Sequence, residues 1–88
     1  MKEKRLAITE IESPLLLGTM RLTLTGKQCV LVENFKGIIE FNDEVVIIQS
    51  KKERITLKGC RLQIPYYTKD EMTVLGDIHT IEVKDCVL

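Results

Sequence analysis

The chain has 88 residues, of which 13 are basic and 13 acidic, so its formal net charge at pH 7 is zero. This balance excludes a long-range field that would attract nucleic acid or an anionic membrane surface. Three cysteines without a CxxC pair indicate a reducing compartment rather than a disulfide framework. The length predicts one domain whose core, without Trp, is mostly aliphatic.

The first part of the chain differs from the rest. Residues 1–14 mix charges with scattered apolar side chains and end at Pro14, which predicts a flexible N-terminal segment. Acidic residues interrupt its apolar run, so it resembles neither a signal peptide nor a membrane span. Leu15–Leu17 form a short apolar run before Gly18, and we expect an edge strand or a loop lying on the core. Residues 15–84 are predicted to form one all-β domain, followed by a short tail at 85–88.

From Arg21 onward, apolar residues alternate with polar ones, as in half-buried β-strands. A pattern of charged, apolar, Thr, apolar, variable and Gly residues recurs at Arg21–Gly26, Arg54–Gly59 and Glu71–Gly76. A degenerate copy with a turn pair in place of Gly lies at Ile39–Asp43, so successive copies are 16 or 17 residues apart. A repeat of this length fits a strand, a turn and a second strand.

These repeats predict an all-β fold, a small antiparallel β-sandwich built from repeated hairpins of about 17 residues. A short β-solenoid or a small barrel remains an alternative way of closing the same hairpins. We expect no helix longer than a single turn within residues 20–84. Gly26, Gly37, Gly59 and Gly76 are predicted to be structural turns. At least two of Gly26, Gly59 and Gly76 should have positive φ.

Cys60 is the best candidate for a nucleophile, because it follows Gly59 in a predicted turn. A nucleophilic thiol needs a base within hydrogen-bond reach, and the sequence does not place His79, the single histidine, near Cys60. Burial explains most free cysteines more simply. Candidate metal ligands lack zinc-like spacing, and the glycines are spread along the chain rather than gathered in a phosphate-binding loop. The sequence therefore predicts no catalytic, cofactor-binding or metal-binding residues and no small-molecule substrate.

Two stretches are candidates for contact with a partner. Val45–Ile48 is a β-branched run without an internal charge, which is either covered on both faces in a central strand or covered by another chain. Tyr66 and Tyr67 lie in the longest predicted loop, where exposed rings could anchor a partner. The alternative is that these rings, with Phe35, cap the ends of the sandwich. We expect a docking face that includes Val45, Ile47, Tyr66 and Tyr67, and self-association as a two-fold dimer.

Five motifs follow one another in a fixed order between residues 15 and 84. They are Arg21-Leu22-Thr23-Leu24-x-Gly26, Val32-Glu33-Asn34-Phe35-Lys36-Gly37-Ile38, Phe41-Asn42-Asp43-Glu44, Ile55-x-Leu57-Lys58-Gly59 and Met72-x-Val74-x-Gly76-x-Ile78. In this order and spacing the chain resembles the YabP/YqfC family of sporulation proteins. The segment Glu33–Ile38, followed by Phe41-x-Asp43, is the most specific part and is similar to the YqfC branch. Met20 stands where the family tends to have a proline, which alters the start of the first strand.

The resemblance implies a small protein made in the mother cell of an endospore-forming bacterium, which works with membrane-protein companions and has no established enzymatic activity. We therefore expect a non-enzymatic structural or assembly module that acts through protein–protein contacts, in the cytoplasm or at a membrane through a partner. Two other functions stay open. One is a small cysteine-dependent enzyme using Cys60, and the other is a nucleic-acid-binding β-barrel, which the zero net charge disfavours.

Overall fold

The structure, a computed structural model, describes residues 19–86, and in this range the chain forms strands and turns without any helix. The six strands are β1 (Arg21–Thr25), β2 (Cys29–Glu33), β3 (Gly37–Phe41), β4 (Val45–Gln49), β5 (Glu53–Tyr67) and β6 (Glu71–Asp85). The all-β prediction is confirmed. Gly37, predicted as a turn, is the first residue of β3, and Asp85, assigned to the tail, is the last residue of β6. The predicted segment 1–14 and the run Leu15–Leu17 lie outside the described residues.

All six strands belong to one antiparallel sheet, in the order β1-β2-β6-β5-β4-β3. β1 and β3 form its two edges, so the sheet is not closed into a barrel. Neighbouring strands run in opposite directions throughout, which excludes a solenoid of parallel coils. The four outer strands have 5 residues each, whereas β5 and β6 have 15 each and form the centre of the sheet.

Local turn chemistry explains the hairpins β1–β2 and β3–β4. Gly26 has a φ of 60° and lets the chain reverse between β1 and β2, in a backbone conformation that disfavours any residue with a Cβ. Between β3 and β4 the Asn42 side-chain oxygen accepts hydrogen bonds from the backbone N–H groups of Glu44 and Val45, at 2.8 and 2.9 Å. This side-chain bond fixes the second turn without a glycine. Gly76 also has a positive φ, 140°, which confirms the expectation for two of the repeat glycines.

Gly59 and Gly76 are not turns, and this part of the prediction is wrong. Gly59 lies inside β5 and Gly76 inside β6, while the chain reverses between these strands at Thr68–Asp70. A Cβ at Gly59 would lie 1.8 Å from the backbone oxygen of Asp77, and one at Gly76 would lie 2.6 Å from that of Arg61. The two glycines therefore permit a close approach of two backbones. Residues 19–86 contain four hairpins, as predicted, but the last two turns lie at residues 50–52 and 68–70 rather than at the glycines.

The two long strands bend near these glycines, where their pairing register shifts. β2 pairs with residues 71–75 of β6, whereas β4 pairs with residues 54–58 of β5. A straight β6 would hold Val83 about 36 Å from Met72, at about 3.3 Å per residue. Val83 instead lines the same groove as Leu22 and Leu24 of β1, although β1 is joined by β2 to the Met72 end of β6. The sheet is therefore folded over itself.

The folded sheet encloses one aliphatic core. One layer contains β1, β2, residues 71–75 of β6 and residues 63–67 of β5, and the other contains β3, β4, residues 53–58 of β5 and residues 80–85 of β6. Both layers contribute to a single cluster, which consists of Val30, Val32, Phe35, Val46, Ile48, Ile55, Leu57, Leu62, Met72, Val74 and Ile78. The fold is thus a small sandwich made from one continuous sheet, as predicted.

The two layers are topologically equivalent. Hairpin β1–β2 pairs its second strand with β6, and hairpin β3–β4 pairs its second strand with β5, with β2 and β4 offset by 16 residues (45 − 29 = 16). Backbone hydrogen bonds repeat as well. The turn carbonyls of Lys27 and Gln28 accept from Ile78 and Gly76, and those of Asp43 and Glu44 accept from Leu62 and Gly59. Positions in one hairpin therefore have counterparts in the other, except for Ile39, the extra residue at the register shift of β3.

Candidate functional site

An apolar groove opens where β1 of one layer faces the end of β6 in the other. It has a volume of about 390 Å³ and is lined by Met20, Leu22, Leu24, Ile55, Ile81 and Val83, with Thr19 and Glu53 also in its wall; it is named the open groove below. Leu24 and Val83 are 51% and 61% exposed. The alternation in β1 predicted a buried face, and this is wrong for Leu24, because alternation assigns a side chain to a face of the strand and not whether another layer covers that face.

Two aromatic rings lie at the equivalent place on the other side of the sandwich. Phe35 is buried and packs edge-on against Tyr67, with ring centroids 5.8 Å apart. This confirms for Phe35 the expectation of a ring that caps the sandwich. The offset of 16 residues makes Thr19 the counterpart of Phe35 (35 − 16 = 19), and the pairing of β5 with β6 makes Val83 the counterpart of Tyr67. Thr19 and Val83 are therefore smaller than the rings at the equivalent positions on the other side.

The two edges of the sheet differ too. β1 pairs with β2 in unbroken register over all 5 residues, so its outer edge is a regular row of backbone groups. Its counterpart β3 has a register shift between Ile38 and Glu40, and its edge is irregular. Bulges and charged side chains hinder the pairing of an edge with another strand. Of the two sheet edges formed by residues 19–86, β1 is thus the one suited to pairing.

The four residues predicted to contact a partner do not form one surface. Val45 and Ile47 are half-buried in β4, which lies between β3 and β5 rather than at an edge. Tyr66 and Tyr67 are half-exposed and lie in the other layer, where Tyr67 packs on Phe35. The structure therefore offers two separate patches, and their role in binding stays a prediction.

Cys60 is exposed and lies beside Gly59 at the bend of β5. The pairing register places Asp77 directly opposite Cys60, and His79 lies two residues further along β6. No sequence pattern indicated this proximity, because it depends on the register of two long strands. Within residues 19–86 the Cys60 thiol makes no hydrogen bond. Asp77 is paired with the Arg61 guanidinium instead, and in the described part of the chain no base is hydrogen-bonded to the thiol.

A second and more polar cleft lies at the bend of β6. It has a volume of about 380 Å³ and is lined by Gln28, Arg61, Gln63, Leu75, Gly76 and Asp77. The Arg61 side chain is 79% exposed and forms an ion pair with Asp77. Because this cation is both solvated and paired, the cleft holds no buried charge that would select a ligand.

Metal and membrane sites can be considered for the described range as well. No group of three or more His, Cys, Asp and Glu side chains among residues 19–86 could hold a metal ion. In the same range there is no helix able to span a lipid bilayer.

Residues 19–86 form a small all-β domain made of one folded sheet, with an apolar groove and, among the strands of this range, one regular edge strand. The family model described as the YabP family matches residues 17–86. The chain therefore belongs to the YabP family and is a sporulation-associated protein. The resemblance based on motifs is confirmed, while the YqfC-like branch stays a prediction. No curated protein and no solved structure matches the chain.

Proposed function

We propose that the chain is a non-enzymatic assembly module of sporulation, which acts in the mother cell through protein–protein contacts and self-associates through β1. Membership of the YabP family supports the sporulation role. The regular free edge of β1 is the observation that supports assembly, because such an edge pairs readily with another strand. A further contact with a membrane protein of the sporulating cell would hold the domain at a membrane. The family resemblance implies such membrane-protein companions.

The simplest assembly is a dimer in which β1 pairs antiparallel with β1 of a second copy. If the two-fold axis passes through Thr23, the middle residue, then Leu22 of one copy lies opposite Leu24 of the other. Arg21 then lies opposite Thr25, so no like charges meet across the pair. The half-exposed Leu24 gains an apolar neighbour. This arrangement replaces the docking face expected from Val45 and Ile47 as the main contact.

Thr23→Glu tests this pairing directly. Two carboxylates would then face each other across the axis, and like charges directly opposite one another destabilise a strand pair. Ile39→Glu is the control, because Ile39 is an exposed residue of β3, the other edge strand. In sedimentation equilibrium across a concentration series, we expect the wild type and Ile39→Glu to be dimers and Thr23→Glu to be a monomer.

A charge swap separates this interface from general loss of structure. An equimolar mixture of Thr23→Glu and Thr23→Lys should form a mixed dimer, since opposite charges then face each other at Thr23. A monomeric wild type, or equal dissociation of Thr23→Glu and Ile39→Glu, would show that β1 is not the interface.

The non-enzymatic role is tested in sporulating cells that carry a variant in place of the wild-type chain. Cys60→Ala should leave the yield of heat-resistant spores unchanged, whereas Thr23→Glu should lower it. A loss of spores with Cys60→Ala would favour the cysteine-dependent enzyme. Detergent extraction followed by affinity capture should recover a membrane protein, and recovery of nucleic acid instead would favour the third function.

A further inference from the structure

Residues 80–85 of β6 form a free strand edge, which is named the β6 edge below. β2 pairs with β6 only over residues 71–75, so within residues 19–86 the second half of β6 has β5 as its one neighbour in the sheet. The pairing with β5 is in unbroken register throughout this half. The β6 edge and β1 form opposite walls of the open groove, to which they contribute Val83 and Leu24.

The backbone of the β6 edge can bond to another strand. Cys86 follows β6 and donates its backbone N–H to the Lys52 carbonyl at 2.7 Å, which directs this group towards the side of β5. Backbone groups of an antiparallel strand point alternately to its two sides. In unbroken register, the N–H and C=O groups of residues 81, 83 and 85 therefore point away from β5, where no strand of residues 19–86 pairs with them.

We propose that the β6 edge pairs antiparallel with the β6 edge of the second copy in the dimer formed through β1, so that the second copy closes the open groove. This inference rests on the proposed self-association. One two-fold axis passes near Thr23 in one layer and near Val83 in the other, since Val83 is the middle residue of the three whose backbone groups point outward. The groove walls of the two copies then face each other and cover Leu24. At each end of the pair, Ile81 lies opposite the exposed Asp85.

Pairing of β1 alone makes a small interface. Two strands of 5 residues form a contact about 17 Å long and about 10 Å wide, the depth of one layer, so each copy buries roughly 200 Å². A stable interface buries roughly 800 Å² on each partner. The β6 edge and the apolar groove add to the contact, and Leu24, Ile81 and Val83 are 51%, 37% and 61% exposed. A dimer that pairs at both edges therefore covers the apolar surface between them.

Charges at the β6 edge favour a second copy as the occupant of the groove. With the axis at Val83, Glu82 of one copy lies opposite Lys84 of the other, and this pair of opposite charges occurs twice. Within one chain Lys84 lies opposite Arg54, a like charge, and it has no ion-pair partner among residues 19–86. Glu82 is half-exposed and lies 3.7 Å from the Lys58 ammonium. The β6 edge is thus complementary in charge to a reversed copy of itself.

The opposite side of the sandwich lacks two regular edges. β3 has a register shift between Ile38 and Glu40. The half of β5 that β4 leaves unpaired, residues 63–67, also shifts in register and contains Pro65, which has no backbone N–H to donate. Irregular edges hinder pairing with another strand. Among residues 19–86, the side with β1 and the β6 edge is therefore the one suited to pairing in both layers.

A charge series tests the pairing in the chain with its native cysteines. Lys84→Glu should raise the dissociation constant of the dimer about tenfold or more in sedimentation equilibrium, because residue 84 then faces Glu82 of the other copy with a like charge. The fold should not weaken, since Glu at residue 84 lies opposite Arg54. Arg54→Glu is the matched control. It makes the same change of charge one strand further from the edge and should alter the dissociation constant less than about threefold.

A double variant and disulfide trapping sharpen the test. Glu82→Lys combined with Lys84→Glu restores opposite charges and should return the dissociation constant to within about threefold of the wild type. In a chain whose native cysteines are replaced by serine, Val83→Cys places two thiols opposite each other at the axis. Ile39→Cys, exposed on β3, is the control. Under mild oxidation we expect Val83→Cys to form a disulfide between two chains about tenfold faster or more than Ile39→Cys.

Failure of this inference is distinguishable from failure of the proposed self-association. A monomeric wild type, or a Thr23→Glu variant that stays a dimer, would overturn both. If Thr23→Glu dissociates the dimer while Lys84→Glu and Arg54→Glu have equal dissociation constants, pairing through β1 stands and pairing through the β6 edge is overturned. Equal rates of disulfide formation for Val83→Cys and Ile39→Cys would overturn it as well.

Discussion

The two sides of the sandwich follow the same backbone plan but present different surfaces. On the β3 side the buried Phe35 packs against Tyr67, while on the β1 side the smaller Thr19 and Val83 line the open groove. The hydrogen bonds that anchor the two hairpins to the long strands are equivalent on both sides. The backbone therefore does not decide which side is open. Side-chain volume at two pairs of equivalent positions decides it.

The two edges of the sheet show the same contrast. β1 is regular, and β3 has a register shift between Ile38 and Glu40. If both edges could pair, copies of the chain would add at each end and form open-ended assemblies. In the proposed assembly, a single usable edge strand would limit self-association to a closed dimer, and the irregular edge of β3 would prevent further copies from adding.

The largest expected effect is at the bend of the long strands, where the equivalent glycines of β5 and β6 can be compared. Gly59→Val should lower the free energy of unfolding by about 4 kcal/mol or more, in the exceptional range for a point substitution. The Cβ added at residue 59 would lie 1.8 Å from the backbone oxygen of Asp77. A backbone atom of a paired strand cannot move aside as the end of a flexible side chain can. Gly76→Val should cost about 3 kcal/mol, at the upper end for backbone strain.

Gly26 and Gly37 supply the controls for this series. Gly26→Val should cost about 1–2 kcal/mol through its positive φ alone, since no atom lies within 4 Å of the added Cβ. Gly37→Ala should change stability least, because it has open space and no positive φ. Urea unfolding measures all four variants. Equal costs at Gly26 and Gly59 would show that the backbones do not approach closely at the bend.

A second prediction concerns the rings that close the β3 side. Phe35→Ala should destabilise the fold by about 3–4 kcal/mol, because a large buried side chain is lost and its cavity remains. Val83→Ala, on the open side, should cost less than about 1 kcal/mol, since Val83 is mostly exposed among the described residues. Thermal unfolding monitored by circular dichroism compares the two variants. Similar losses for both would mean that the two sides are filled to the same degree.

The loops after β2 and β4 carry another pair of counterparts, Asn34 and Ser50 (34 + 16 = 50). Asn34 has a φ of 63°, so Asn34→Val should cost about 1–2 kcal/mol, while Asn34→Gly should be nearly neutral. Ser50 is buried, and its hydroxyl accepts a hydrogen bond from the Glu53 backbone N–H at 2.9 Å and donates to Glu53 oxygens. Ser50→Ala should therefore cost about 1 kcal/mol.

Chemical denaturation of the three variants shows which cause acts in each loop. The ranking expected is Asn34→Val, then Ser50→Ala, then Asn34→Gly, from the largest loss to the smallest. If Asn34→Gly destabilised as much as Asn34→Val, the Asn34 side chain, which donates to Thr19, would matter more than its backbone conformation.

The smallest effect is expected at the ion pair of Arg61 and Asp77. Arg61→Ala should change stability by less than about 1 kcal/mol, because the guanidinium is mostly solvated, and added salt should reduce the difference. Arg61→Gly should be about 1 kcal/mol more stable than Arg61→Ala, since Arg61 has a φ of 53°. Urea unfolding at low and high salt checks both statements. A less stable glycine variant would contradict the positive φ at this bulge.

The sequence by itself determined the local elements of this protein. The alternation of apolar and polar residues indicated the strands, because successive side chains of a strand point to opposite faces of the sheet. Gly26 and Asn42 fixed the two short turns through their own backbone and side-chain chemistry. The β-branched run of β4 was recognisable as a covered strand, and within it Val46 and Ile48 are buried while Val45 and Ile47 are half-buried. Ordered motifs indicated the family that the comparison then showed.

The tertiary structure decided what depends on distant neighbours. Gly59 and Gly76 look like Gly26 in sequence but lie inside strands, because a glycine permits close approach of backbones as readily as it permits a turn. Leu24 and Val83 have the same spacing as core residues and are exposed, since alternation assigns a face of a strand and not whether another layer covers it. The proximity of Cys60, Asp77 and His79 arises from the register of two long strands. Register and layer contact are long-range properties, so the candidate site emerged only when the sheet was folded on itself.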